Sequence, residues 1–509
     1  MKLPPFSPSP QQRAAGVAAA VVFFVHAVGN AHYGFFRDEL YFIICGRHPQ
    51  FGYVDQPPVV PLLSALSQGF GPSLFLLRLV PALFAAAGTY VTCMLAVEFG
   101  GGLFAQSLAA IVFLFTGVLM SFGMKVSTDT VGLWSWPLLA LLIVRILKGT
   151  DRRLWLLTGA LAGISIESKY SVLFLLAALF VGLAATPQRK ILFDRWFALG
   201  TAVALLIALP NFLWQWRYGF PMIELLQAGQ NGKNLIAPPL LFLVQELIIT
   251  GIFIWPVWAI GLGWLLATRA YRFLGYAYIV LIAEMLVFHG KHYYPADVYP
   301  VLIAAGAVPL EAWTRALTPV RAALIAYVLV FGGAFVPFAM PVLPEQTFVR
   351  YEIAVGRILH ISKSTTATEP GREDSALPGD WADMHGWPQM AQTVERVYES
   401  LPPGERARAV VFAGNYGEAS AVAFFTPQIP VISEHNQYWL WGTRGYDGSV
   451  VVQVNGSCFK SDGLFASSTL AARFKDRWAI GYERDIPIWI CRGIKKPLTQ
   501  VWPGIKLYE

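Results

Sequence analysis

"FFRDELYFIICGRHPQFGYVDQPPVVPLL" (Phe35–Leu63) sets Arg37, Asp38, Glu39 and Arg47 into its first half and Asp55 just ahead of Pro57 and Pro58. Apolar sequence lies on both sides of it. Pro57, Pro58 and Pro61 interrupt regular helix and define a stiff turn. The stretch therefore reads as a charged loop set against membrane-spanning sequence. The following "PPVVPLLSALSQGF" suits a short amphipathic helix in the interface.

The composition around the loop agrees. Of 509 residues, 56% are hydrophobic and 14% charged, with 17 Trp and 35 Phe. Soluble domains carry about 25% charged residues. Mean hydropathy is +0.52. The chain is read as a polytopic α-helical membrane protein. The net charge of +7 does not indicate nucleic acid, because the basic residues are scattered singly and form no stripe.

Crossing a bilayer takes roughly 20 apolar residues. Segments 14–33, 74–97, 103–121, 128–147, 153–168, 170–186, 196–214, 239–267, 272–289, 293–313 and 321–341 qualify, which makes about eleven transmembrane helices. The N-terminal run reads as an uncleaved first span. Lys2, Arg13 and the loops "RILKGTDRR" (Arg145–Arg153), "PQRKILFDR" (Pro187–Arg195), "TRAYR" (Thr268–Arg272) and "TRALTPVR" (Thr314–Arg321) then all fall on one side. The positive-inside rule makes that side, with the N-terminus, cytoplasmic. The expected location is the inner (plasma) membrane.

This topology collects a second set of polar residues on the outer face. It comprises the first outer loop (34–73), Lys125 and Asp129 of "MKVSTDT", Glu167 and Lys169 of "IESKY", the loop Trp214–Asn234, and "HGKHYYPADVYP" (His289–Pro300). Ionisable groups near a bilayer are costly, so they tend to face a cavity, pair, and mark function. Interfacial anchoring is the plainer reading for any one of them. A carboxylate at Asp38 or Asp55 can act as a general base on a hydroxyl or amine. Asp38 or Glu39 can equally cap a helix or pair with Arg37 or Arg47. Lys125, Lys169, Lys291, His289 and His292 offer charge for a phosphate. Trp214, Trp216, Tyr218, Tyr293 and Tyr294 suit stacking on a sugar, a lipid groove, or an interfacial belt. Arg37, Gln56, Asp129, Trp216 and Tyr218 are candidates for the acceptor side of a cavity.

The composition changes after Pro341. Residues 342–509 hold turn-rich sequence, strand-like "ARAVVFAGN" (Ala407–Asn415) and "GSVVVQVNG" (Gly448–Gly456), and helix-periodic "WPQMAQTVERVYESL" (Trp387–Leu401). They are expected to form a soluble α/β domain on the non-cytoplasmic side, behind a membrane domain of residues 1–341. Of the four cysteines, Cys458 and Cys491 fall in this domain, where a disulfide between them can persist. Cys93 reads as a small core residue of a span.

"RDELYF…GYVDQPPVVPLL", "STDTVGLWSW", "GISIESKYSVLFLL", "KHYYPADVYPVLIAAGA" and "AGNYGEASAVAFF" occur in this order. Together they resemble the bacterial branch of the dolichyl-phosphate-mannose–protein mannosyltransferase family, a glycosyltransferase family 39-like group of the GT-C superfamily. Lipid A aminoarabinose transferases are more distant members. The resemblance covers about residues 30–450. It implies the GT-C fold and inverting transfer of a sugar from a polyprenyl-phosphate-linked donor to an extracytoplasmic acceptor: protein, lipid A or cell-envelope glycan. The family's acid after the first span matches Asp38, with Glu39 beside it, and its second loop acid matches Asp55. In the aminoarabinose transferases a Lys follows that second acid. Here Gln56 stands there, so Lys291, with Lys169 or His292, is assigned the phosphate. "NYGEA…HNQYWLWG" (Asn415–Gly442) resembles an outer-domain signature without an assigned role. No cofactor is required on this reading, and oxygen ligands at Asp38 and Asp55 are compatible with Mg²⁺ or Mn²⁺. A transporter or flippase of a lipid-linked envelope precursor is the alternative, although charges on one face and no inverted repeat fit it less well.

Overall fold

A computed structural model describes residues 8–30, 32–230, 235–360, 369, 374–460 and 463–509. Lys2, positions 231–234 of the Trp214–Asn234 loop and positions 370–373 lie outside the described residues. Packing divides the chain into two units. One comprises Met1–Ala31, Phe75–Phe212 and Ile236–Val342, and the other His32–Leu74, Leu213–Leu235 and Leu343–Glu509.

The first unit is helical. Each of the eleven apolar segments read from the sequence folds as helix. By length and composition, four helices suffice to cross a membrane: Pro10–Gly29, Leu74–Glu98, Arg195–Arg217 and Thr318–Ala339. Three bent pairs raise this to seven at most among the described residues. Segment 103–121 is one such pair, Leu103–Phe115 and Gly117–Met124, bent by 67°. The break falls at Thr116, whose backbone is extended (φ −72°, ψ 110°). Segment 239–267 is another, bent by 114°. There Gly251 adopts φ 109°, a conformation open to glycine and strained for other residues. Trp255–Ala267 and Tyr299–Trp313 meet through Gly261 and Gly306. A Cβ on Gly261 would stand 1.9 Å from the Leu302 carbonyl oxygen, and one on Gly306 1.9 Å from that of Val257. Small residues let membrane helices approach this closely.

The second unit carries a five-stranded sheet: β1 Ala409–Ala413, β2 Val431–Ser433, β3 Val450–Val454, β4 Phe465–Lys475 and β5 Asp485–Ile494, in the order β2-β1-β3-β5-β4. β1 pairs in parallel with both β2 and β3, and β5 is antiparallel to β3 and β4. β1 (AVVFA) and β3 (VVVQV) are buried throughout, as central parallel strands require. Both strand-like stretches in the sequence are therefore real, and the helix-periodic one forms Trp387–Glu399. Cys458 and Cys491 form a disulfide, with Cα atoms 5.9 Å apart, which ties the turn after β3 to β5. Val410, Phe412, Val451, Phe459 and Trp502 pack around it. Helices Arg37–Arg47 and Val59–Ser67, from the opening loop, belong to this unit as well.

Candidate active site

The helix Arg37–Arg47 starts with two acids and ends with Arg47, which complements its dipole. The two acids have different surroundings. Glu39 is fully buried, and its Oε2 accepts a hydrogen bond from the Phe36 N–H at 2.8 Å. This is the Glu-to-N-cap half of a capping box. Asp38 is half-buried, and its Oδ1 accepts from the Tyr416 hydroxyl at 2.8 Å.

Asp55 is also half-buried. Its Oδ1 accepts from the Tyr41 hydroxyl at 2.9 Å and its Oδ2 from Asn436 Nδ2 at 3.3 Å. The rings of Tyr41 and Tyr416 lie 4.7 Å apart, so the two acids are joined through two packed phenols. Gln437 fixes the turn: its Oε1 accepts from the Val54 N–H at 3.1 Å, and its own N–H donates to the Tyr41 hydroxyl at 3.2 Å. Burial first, then the carboxylates of Asp55 and Asp38, push the Tyr41 and Tyr416 phenols well above their ordinary range. Both stay protonated donors wherever the acids are charged.

Several residues of the Asn415–Gly442 stretch thus have a structural role. Asn415 caps the helix Tyr416–Phe425 by accepting from the Glu418 N–H at 3.0 Å, and its Nδ2 donates to Glu483 Oε1 at 2.7 Å. Tyr416 reaches Asp38. Gly417 leaves room for Arg37, whose Cγ would lie 2.5 Å from a Cβ there. Glu418 is buried and accepts from the Gly414 N–H at 2.7 Å and from Asn455 Nδ2 at 2.9 Å. Arg37 pairs with Asp383 at 2.5 Å and donates to the Tyr482 hydroxyl. Gln56 is buried, with its side chain beside the Cys45 thiol. Trp214 donates to Gln50 Oε1 at 2.9 Å, whereas Trp216 and Tyr218 are exposed.

In the first unit, three loops distant in sequence converge. Lys169 forms an ion pair with Asp129. Its Nζ lies 5.6 Å from the Tyr293 ring centroid and 4.7 Å from that of Tyr294, within cation–π reach. Asp129 sits in a tight turn, where its N–H donates to Ser127 Oγ at 3.2 Å. Asp297, absent from the sequence-derived candidates, joins this cluster. It is buried, lies within electrostatic reach of Asp129 and Lys169, and packs so closely on Gly132 that a Cβ there would be 1.8 Å from its Oδ2. Its signal was an acid inside an apolar run, in "YPADVYP". Lys125 and His292 are buried, Lys291 is half-buried and His289 is exposed.

A cavity of about 110 Å³ opens at the carboxyl ends of β1, β2 and β3, lined by Gly414, Glu434, Gln453, Asn455, Gly456 and Phe459. Gln453 and Asn455 already bond within it: the Phe459 N–H donates to Gln453 Oε1 at 2.6 Å, and Gln453 Nε2 to the Asn455 carbonyl at 3.0 Å. Among the described residues, no group of three or more His, Cys, Asp or Glu side chains is placed to hold a metal ion.

The fold is that of ArnT from Cupriavidus metallidurans. The structure of ArnT bound to undecaprenyl phosphate matches with a TM-score of 0.60 and 16% identity, covering 93% of this chain and 97% of that one. The apo structure matches with a TM-score of 0.58 and 15% identity over the same shares. The chain thus shares that fold: mostly helical, with four helices among the described residues long and apolar enough to cross a membrane, and a small C-terminal sheet domain. Residues 55–214 match the family described as dolichyl-phosphate-mannose-protein mannosyltransferase, in line with the resemblance carried by the sequence motifs. No curated protein matches the chain.

Proposed function

We propose that this protein is a membrane glycosyltransferase that moves a hexosyl or pentosyl unit from a polyprenyl-phosphate donor to an acceptor outside the cytoplasm, with inversion. The donor class rests on the shared fold with a protein whose structure holds undecaprenyl phosphate, and on the family match over residues 55–214. The chemistry rests on one observation. Two acids of the opening loop, Asp38 and Asp55, are half-buried rather than sealed, and each is held by a tyrosine. The buried neighbour Glu39 serves the helix start instead.

In this mechanism Asp38 accepts the proton of the acceptor hydroxyl or amine. The acceptor atom bonds to the anomeric carbon from the face opposite the phosphate. The bond between that carbon and the phosphate oxygen breaks, and its electron pair leaves with the polyprenyl phosphate. Charge growing on the leaving oxygens calls for fixed cations. Lys125 and Lys291 supply them, with His289 and His292 nearby in sequence. Lys169 is already balanced by Asp129, so it orients Tyr293 and Tyr294 against the sugar rather than carrying the phosphate alone. Asp55 positions the acceptor together with Gln56. We place the N-terminus in the cytoplasm, the eleven apolar segments in the inner membrane, including those too short to cross as single straight helices, and the sheet domain outside.

The test is turnover of a polyprenyl-phosphate sugar by purified protein in nanodiscs, with donor affinity measured alongside. Removing a general base costs about 10²- to 10⁴-fold in rate. Asp38→Asn is expected to fall in that range with donor affinity unchanged, and Glu39→Gln to act through stability. Near-normal turnover in Asp38→Asn rejects Asp38 as the base. A chelator arm decides the metal question: loss of turnover restored by Mg²⁺ or Mn²⁺ would recast Asp38 and Asp55 as metal ligands.

A further inference from the structure

We propose that Tyr416 is a positioning residue for Asp38, so that the sheet domain completes the catalytic loop through one phenol. The inference rests on Asp38 being the base. Tyr416 lies at the start of the helix that follows β1, 378 residues from Asp38, and its hydroxyl donates to Asp38 Oδ1 at 2.8 Å. Three groups hold the ring in place. Tyr41 packs at 4.7 Å, His435 meets it edge-on at 4.9 Å, and the Arg37 guanidinium lies 5.9 Å from its centroid. The phenol is therefore preorganised. One oxygen of Asp38 is pinned to it, which fixes the plane of the carboxylate before any acceptor arrives.

Fixing that plane has two effects. The carboxylate does not have to be oriented during the reaction, which is the usual benefit of a supporting hydrogen bond. A neutral donor to the charged form also favours that form and keeps the base ionised at lower pH. Arg37, Asp383, His435 and Tyr41 are titratable or charged groups that also face this pair. All are present in both proteins compared below, so they do not account for a difference between them.

The first measurement needs no substrate. Carbodiimide activates protonated carboxyls, and trapping with an amine followed by fragment-resolved mass spectrometry reads the extent at Asp38 separately from Glu39. Labelling against pH gives the Asp38 midpoint. A hydrogen bond to a charged group corresponds to about 1–2 pH units. Tyr416→Phe, which keeps the ring, is expected to raise the midpoint by that amount. An unchanged midpoint overturns the inference. If Tyr416→Phe fails to fold, 3-fluorotyrosine at position 416 keeps the shape and is a stronger donor. Its midpoint is expected to fall, and one that stays or rises overturns the inference.

The second measurement is kinetic. Tyr416→Phe is expected to lower kcat and leave the donor KM in place. The acid limb of its pH profile should move upward by the same 1–2 units. In an Asp38→Asn background the substitution should do nothing further. Transfer that depends on Asp38 but keeps its wild-type pH limb in Tyr416→Phe refutes the role of Tyr416 alone. A wild-type protein that transfers no sugar refutes the enzyme reading, and the labelling midpoint still decides whether Tyr416 tunes Asp38.

Discussion

Replacing Asp383 by Leu should loosen the second unit far more than loss of an ordinary ion pair. The Asp383 side chain is fully buried and that of Arg37 is 10% exposed, with nitrogen and oxygen 2.5 Å apart. Burial works against the Arg37 charge, and Asp383, together with Tyr482, Tyr416 and Glu483, outweighs it. Removing one member of a buried pair leaves the other uncompensated, at about 3–5 kcal/mol, whereas an exposed pair is worth about 0–1 kcal/mol. Arg37 keeps its bond to the Tyr482 hydroxyl, so the lower end, about 3 kcal/mol, is expected. For a unit of 150–250 residues each kcal/mol moves Tm by about 2–4 °C, which gives a drop of roughly 6–12 °C. The double variant Arg37→Met/Asp383→Leu removes both charges, and well-packed apolar replacements of a buried pair are often neutral. It should recover most of the loss. Scanning fluorimetry on the detergent-purified protein reads both values, with trypsin cleavage at Lys and Arg residues C-terminal to Leu343 as a check on which unit opens. A single variant within 2 °C of wild type, or a double variant as unstable as the single, refutes the reasoning.

Two further outcomes follow from the second unit. Burial, then the charge of Glu418, holds the Glu483 carboxyl well above its ordinary value of 4.5. The native state therefore binds a proton that the unfolded chain releases, and stability should be full below about pH 4.5 and fall as pH rises beyond it. Glu483→Gln should flatten that decline in a Tm-against-pH series; an unchanged slope counts against a proton held on Glu483. Reducing Cys458–Cys491, or replacing both residues by Ser, opens a loop with a sequence separation of 33. On the chain-entropy model this costs about 3–4 kcal/mol, read as a lower Tm in reductant; Cys45→Ser/Cys93→Ser should not reproduce the reductant effect.

The apolar segments were legible because roughly 20 consecutive apolar residues announce a membrane helix without reference to anything distant. The breaks inside two of them were not. Nothing in the hydropathy of 103–121 marks Thr116 as extended, since the bend depends on what the two halves pack against. Asp38 and Asp55 were legible as candidates within the charged opening loop. Which of Asp38 and Glu39 stays accessible was not, because both stand in the first turn and only the fold buries Glu39. "NYGEA" and "HNQ" were visible as a signature. Their role lay in side chains reaching 378 and 381 residues back along the chain, from Tyr416 to Asp38 and from Asn436 to Asp55. Periodicity carries no information about such partners. Asp129, Lys169, Tyr293 and Tyr294 were legible as candidates, whereas Asp297, in the same "HGKHYYPADVYP" stretch, was not singled out because nothing local marks its approach to Gly132.

The discontinuity of the second unit bears on how the protein is made. Its first segment ends at Leu74 and its last begins at Leu343. Ribosomes add about 5–20 residues per second, so the 378 positions between Asp38 and Tyr416 take roughly 20–75 s to synthesise. Throughout that interval the helices between them must insert while the opening loop waits without its partners. Arg37 has no Asp383, Asp55 has no Asn436, and Asp38 has no phenol. A chain stopped anywhere before residue 416 lacks the phenol that bonds Asp38 and the amide that bonds Asp55, so these contacts of the opening loop form only after the intervening helices have been made.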